Sequence, residues 1–227
     1  MNEQISMLEK VAEVFSQVDT TIVFTGGATI SLYLDEVAAP DIRPTYDVDC
    51  VVEIMSRMEY YNFVELLRAL GLQEVIGSGT PLCRWQYEGI LIDVMPCSES
   101  VLGFSNRWYR PGIANSISYR LPSDRQILIF SPPYILASKI EAFTNRGESF
   151  YYSKDFEDIV TLLDGCPSLF EEVQQADEEV KAFLLGWFRA ELKNLCEIAP
   201  ALLSPSAKIS GRDHLLLQRI ERLAIVV

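Results

Sequence analysis

The stretch TGGATISLYLDEVAAPDIRPTYDVDCVVE, residues 25–53, joins three features in a short span. An apolar run, Ile22-Val23-Phe24, ends on the pair Gly26-Gly27. A segment with helical spacing follows, with Ile30, Leu34 and Val37 on one side. Asp47 and Asp49 then open a second apolar run, DVDCVVEI, that alternates at period two. Alternate residues of a strand share a face, so Asp47, Asp49 and Val51 point one way and Val48, Cys50 and Val52 the other. Carboxylates on a buried strand are costly unless something of opposite charge compensates them.

The rest of the chain supplies candidates for that compensation. Asp93, in ILIDVMP, is a third acid between apolar strand residues. Two carboxylates on one strand face with a third beside them can share Mg²⁺ or Mn²⁺, since paired-ion sites hold their metals about 4 Å apart. A glycine turn lets backbone N–H groups approach a phosphate closely. Acids and turn together suit a nucleoside triphosphate (NTP) carrying a divalent ion.

The remaining segments read in order. MNEQISMLEKVAEVF is an amphipathic helix with Ile5, Leu8, Val11, Ala12 and Phe15 on one face. Ser56-Arg57-Met58-Glu59 is a capping box, opening a helix to about Leu70 that Gly71 closes. LCRWQYEGILIDVMP is a strand pair turning at Glu88-Gly89, and SISYRL with QILIF forms another. APDIRP is a loop between prolines. From Ser131 onward the chain reads as helices. The expectation is an α/β half, residues 1–130, followed by an all-helical region, residues 131–227.

Two helical patterns in that region bear on the chemistry. Lys139 and Arg146 lie seven residues apart, two turns along one helix face, so both can reach one extended anion. Asp155 and Asp158 lie three apart and also share a face. The same spacings equally suit an ion-pair set between two helices.

Composition narrows the partners. The 227 residues carry a formal net charge of −13, which opposes non-specific binding of polyanions. GFSNRWYRPGIANSISYRLPS, residues 103–123, is the exception: it holds Arg107, Arg110 and Arg120 with Phe104, Trp108 and Tyr109 and no acid. Such a mixture can grip a phosphate backbone and stack bases. The plainer alternative is a connection whose aromatics cap the core. The five cysteines are scattered without a CxxC pair, which fits a cytoplasmic chain without a zinc site. No apolar run is long enough to span a membrane. The one histidine, His214, lies on an expected surface helix, and a Ser-His-Asp triad has no GxSxG to go with it.

With these motifs in place, the chain resembles the DNA polymerase β-type nucleotidyltransferases: a Gly-Gly turn, a helix, then Asp-x-Asp on a strand. Lys139 and Arg146 (KxxxxxxR), Asp155 and Asp158 (DxxD), and Asp93 narrow the resemblance to the AbiEii-like toxins of type IV toxin–antitoxin systems, over residues 22–165. The resemblance implies a mixed β-sheet nucleotidyltransferase fold that moves an NMP from an NTP to an RNA, tRNA included, or to a protein. Asp47, Asp49 and Asp93 would be metal ligands, Gly26 and Gly27 would bound the phosphates, and Lys139 and Arg146 would meet the triphosphate. Asp155 would assist catalysis and Asp158 support it. An antitoxin protein would be a partner. Two departures stand out: EVAAPDIRPTY lengthens the interval from Gly-Gly to the first Asp, and Ala28 stands where many relatives have a hydroxyl. The alternatives are a metal-dependent phosphoesterase using the same acids, or a catalytically silent nucleotide-binding or interaction protein.

Overall fold

The computed structural model describes residues 3–35, 37–38 and 42–225. Its elements run α1 (Glu3–Phe15), β1 (Ile22–Thr25), β2 (Asp47–Val52), α2 (Arg57–Ala69), β3 (Gln73–Glu74), β4 (Arg84–Tyr87), β5 (Ile90–Pro96), α3 (Glu99–Leu102), α4 (Tyr109–Ala114), β6 (Ser116–Arg120) and β7 (Gln126–Phe130). Helices α5 (Pro132–Arg146), α6 (Lys154–Gly165), α7 (Leu169–Gln175), α8 (Glu178–Ile198), α9 (Pro205–Ile209) and α10 (Arg212–Ile225) follow. Contacts divide the chain into two compact units, one of Met1–Thr29 with Pro44–Ser131, the other of Ile30–Arg43 with Pro132–Val227.

The first unit is a mixed sheet. Among the described residues its seven strands lie in the order β3-β4-β5-β2-β1-β7-β6. Strand β2 runs antiparallel to β1 and parallel to β5, while β4–β5 and β6–β7 are antiparallel hairpins. Val48, Cys50 and Val52 are fully buried on one face of β2, as the alternation requires, and α1 buries Leu8, Val11, Ala12 and Phe15. Each such aliphatic or aromatic side chain contributes about 1.5–3 kcal/mol on leaving water. Helix α2 starts on the expected capping box: Ser56 Oγ accepts from Glu59 N, and Glu59 Oε2 accepts from Ser56 N at 3.0 Å. Gly71, at φ +88°, takes the left-handed conformation that ends the helix.

The second unit is helical. Ile135, Leu136 and Ile140 of α5, Phe156, Ile159 and Leu163 of α6, Leu184 and Phe188 of α8, and Leu216 and Ile220 of α10 are all fully buried. Pro132 opens α5, where its missing N–H is one of the helix's unused donors. The Ser153 side chain caps α6 by accepting from Phe156 N.

Segment 30–43 departs from expectation. A short 3₁₀ helix, Gly27–Leu32, replaces the longer helix read after the glycines. Ile30 is buried, but Val37 is 65% exposed, so the periodic pattern does not run on to form one face. Part of the proline-bounded loop, residues 39–41, lies outside the described residues. The described residues of the segment belong to the second unit. Asp35 N donates to Gly165 O at 2.9 Å, Leu34 and Ala38 lie against the Gly165 Cα, and Val37 O accepts from Arg212 Nη1 at 3.0 Å.

All five cysteines are free thiols, and only Cys196 is not buried. Burial raises the pKa of each, Cys83 to about 12. A thiol-disulfide colour assay at neutral pH should therefore report at most the one thiol of Cys196 in the native chain. All five should react once the chain is unfolded in denaturant.

Candidate active site

Strand register assembles one polar row in the first unit. Thr25 on β1 faces Asp49 on β2, Asp49 faces Asp93 on β5, and Asp93 faces Arg84 on β4. Residues paired this way present side chains on a common face, so three acidic or basic groups line up across three neighbouring strands. Asp47 joins them from two residues earlier on β2. The sheet thus brings together the three acids that the sequence singled out.

Gly26 sits at the end of this row. Its φ is +74°, and a Cβ placed on it would lie 1.8 Å from Asp49 Oδ2 and 2.6 Å from Asp49 Cβ. The bare Cα is the space in which the Asp49 side chain lies. Thr29 closes the turn, its N–H and its Oγ1 hydroxyl both donating to Gly26 O at 3.3 and 3.0 Å. Ala28, the position without a hydroxyl, is fully buried.

Arg84 is the residue that sequence reasoning missed. Its Nε donates to Asp93 Oδ1 at 2.8 Å and its Nη2 to Asp93 Oδ2 at 2.7 Å, a fork-on-fork pair. Nη2 also reaches Asp47 Oδ2 at 3.2 Å, while Asp47 Oδ1 accepts from Thr45 Oγ1 at 2.8 Å. The hydrogen bond to Asp93 raises the guanidinium's proton affinity above its ordinary value. The negative field of the row reaches its neighbours too. Burial first, then the Asp49 and Asp93 carboxylates, hold the Cys50 thiol well above its usual pKa.

This arrangement tests the metal set expected from sequence. Asp47 and Asp49 are half-buried oxygen donors of the kind Mg²⁺ and Mn²⁺ prefer, and a carboxylate has lone pairs to spare beyond one hydrogen bond per oxygen. Asp93 differs from them in burial, at 8% exposed, and in giving both oxygens to the one Arg84 fork. Among the described residues, no group of three His, Cys, Asp or Glu side chains is arranged to hold a metal ion.

The second unit gathers the other expected residues into an ion-pair network. Lys139 Nζ lies 2.7 Å from Asp158 Oδ2 and 3.2 Å from Asp155 Oδ1. Arg146 pairs with Asp155, and Arg43 donates to Asp158 at 3.2 Å while lying 3.4 Å from Glu157. Both aspartates are buried. Here the helix-to-helix pairing that the spacings allowed is present, and Arg43 adds a cation from segment 30–43.

Comparison with solved structures follows from this geometry. The chain superposes on an antigenic nucleotidyltransferase-like protein from Paracoccidioides brasiliensis with a TM-score of 0.54 at 20% identity, over 90% of this chain and 95% of that one. It has a nucleotidyltransferase-like fold. A second similar structure is the antibiotic-resistance factor ANT(2'')-Ia, with a TM-score of 0.49 at 13% identity, over 85% of this chain and 94% of that one. No family model and no curated relative matches the sequence. No described helix is long and apolar enough to cross a membrane.

Within this nucleotidyltransferase-like fold, Trp108 of the acid-free stretch 103–123 is not placed to stack a base. Trp108 is 1% exposed and belongs to the core, with the Arg107 guanidinium 4.9 Å from its ring centroid. Arg120 lies 3.5 Å from Asp124. The segment folds as α4 and β6, and Gly112 of α4 lies so close to Phe130 that a Cβ there would come within 2.7 Å of the ring. Trp108 thus joins the core, as the plainer alternative had it, while Phe104 is exposed. His214 is exposed on α10, as expected.

Proposed function

We propose that the chain is a nucleotidyltransferase that moves a nucleoside monophosphate from an NTP to an RNA or protein acceptor. The observation that carries this reading is the acid row, with Asp49 laid against the bare Gly26 Cα at the end of β1. A strand closing on a glycine turn beside paired acids suits an NTP's phosphates better than a structural salt bridge requires. The shared fold adds support.

In this reading Asp47 and Asp49 would hold the Mg²⁺ or Mn²⁺ that accompanies the NTP, an ion that supplies charge neutralisation at the phosphates. Gly26 and Gly27 leave backbone where the phosphates approach. The acceptor hydroxyl forms its bond to the α-phosphorus as the bond to pyrophosphate breaks, and the hydroxyl proton passes to a carboxylate of the row. Such transfer depends mostly on positioning and electrostatics, which a rigid strand supplies. Lys139 and Arg146 are assigned a triphosphate contact by the sequence resemblance, in addition to the ion pairs they make. The toxin role and an antitoxin partner rest on that resemblance as well.

The test is incubation of the purified chain with each labelled NTP, Mg²⁺ and total cell RNA. Label on RNA or on protein is the expected result, and Asp49→Asn should remove it while leaving the circular dichroism spectrum unchanged. Release of free phosphate alone would favour a phosphoesterase. Absence of any product with all four NTPs would overturn the reading.

A further inference from the structure

The sheet ends on two strands of very different reach. On one side β3 is only two residues long, Gln73–Glu74, too short to template another strand. On the other side β6 pairs with β7 without a bulge, from Ser116 opposite Phe130 to Arg120 opposite Gln126, and no described strand lies beyond it. Ile117, Ser118 and Arg120 are exposed, so this edge is open. Its sequence, SISYR, has no proline or lysine to guard it, and its single charge stands at the end.

The hairpin's own hydrogen bonds decide which backbone groups face outward. Leu121 N donates to Arg125 O at 2.9 Å, and bonded pairs alternate along an antiparallel ladder. Counting back, Tyr119 and Ile117 direct their backbone groups at β7, while Ser116, Ser118 and Arg120 turn theirs away from it. Among the described residues no loop or neighbouring element accepts from those three N–H groups. A second copy of the same strand fits this row. With a two-fold axis at Ser118, that residue opposes its own counterpart and Ser116 opposes Arg120, each pair able to exchange two hydrogen bonds. Ile117 of one copy then meets Tyr119 of the other in the closer, non-bonded pairs, a β-branched side chain against an aromatic one. That contact covers Ile117, which is 40% exposed in the single chain. No like charges are opposed in this register.

Charge favours the same edge. The chain's net −13 opposes self-association, but residues 103–123 hold no acid. The next acid along, Asp124, is answered by Arg120 at 3.5 Å. We propose that β6 is a homodimer interface, joining two sheets edge to edge about a two-fold axis at Ser118.

Cross-linking of the full chain tests the register. Bonded pairs of an antiparallel ladder hold their Cα atoms about 5.5 Å apart, within disulfide range. In a Cys196→Ser background, Ser118→Cys should give a covalent dimer under mild oxidation. Ser116→Cys should not, because its counterpart lies four residues further along, roughly 13 Å away. Sedimentation of the parent chain should show a mass that rises with concentration toward that of two chains. Ser118→Pro should raise the dimer dissociation constant at least about tenfold, since it deletes both N–H groups at the axis. The N–H that proline lacks is one that β7 does not use, so the circular dichroism spectrum should be the parent's. Ile117→Lys should weaken the dimer likewise, and this arm stands even where Ser118→Pro does not fold. The proposal is overturned by a parent that stays monomeric at every concentration, which would leave the edge to some other chain. It is equally overturned by a dimer that Ile117→Lys forms as readily as the parent, or by Ser116→Cys linking as efficiently as Ser118→Cys.

Discussion

Lys139→Met is expected to lower the stability of the chain by about 3–5 kcal/mol, the range found when one partner of a buried ion pair is removed. Lys139 is the centre of its network, with Asp158 at 2.7 Å and Asp155 at 3.2 Å. The side chains of both aspartates are only 5% exposed, so neither can turn to water when the ammonium is gone. Each would be left with one arginine, Arg146 for Asp155 and Arg43 for Asp158. Urea unfolding should show a lower midpoint with an unchanged slope. Lys139→Met combined with Asp158→Asn should recover part of the loss, because the second change removes a buried carboxylate left with one cation fewer. An unchanged midpoint in the single variant would show that the network carries no stability. A rise in KM for the NTP, measured where the variant is fully folded, would be the sign of a triphosphate contact over and above the scaffold.

Gly26→Ala should be nearly as damaging and for a different reason. A left-handed backbone costs an L-residue roughly 1–2 kcal/mol at φ +74°. The new methyl would also meet Asp49 at its Oδ2, Cγ and Cβ, all within 2.6 Å. Rotation of the carboxylate does not relieve a clash with Cβ, so β1 or β2 has to shift. Forcing extra volume into a packed position costs about 1–3 kcal/mol, which brings the expected total to about 3 kcal/mol. The same shift displaces Asp49, so nucleotide labelling should fail even at temperatures where the variant remains folded. A fully active, equally stable Gly26→Ala chain would mean that Asp49 has freedom to lie elsewhere.

What was legible in the sequence follows from how local the signal is. Ser56 and Glu59 are three residues apart, and the capping box formed as written. The period-two run at Asp47–Val52 and the turn at Glu88-Gly89 each need only a few neighbours, and both appear in place. Arg84 was readable too. A two-residue turn at positions 88 and 89 pairs 87 with 90, and counting outward puts 84 opposite 93. Trp108 stayed undecided because aromatic residues among arginines look alike at a surface and at a core edge. The packing of α4 against β7, through Gly112 and Phe130, is a tertiary contact that no short window contains. Segment 30–43 misled for the same reason at longer range: its partners, Asp158, Gly165 and Arg212 among them, lie more than a hundred residues on.

That last arrangement governs the order in which the molecule can be made. A ribosome that has released residues 1–131 has synthesised all seven described strands, and the sheet can close. Leu34, Ala38 and Arg43 emerge early, yet the surface that receives them, the end of α6 with Asp158 and Gly165, emerges only after a further hundred-odd residues. Contacts of such high sequence separation carry a large loop-closure entropy and form late. Nascent chains should therefore hold a folded sheet while the backbone at Leu34, Ala38 and Arg43 is still open to proteases. Cleavage at those positions should cease only when the segment containing α6 has cleared the exit tunnel.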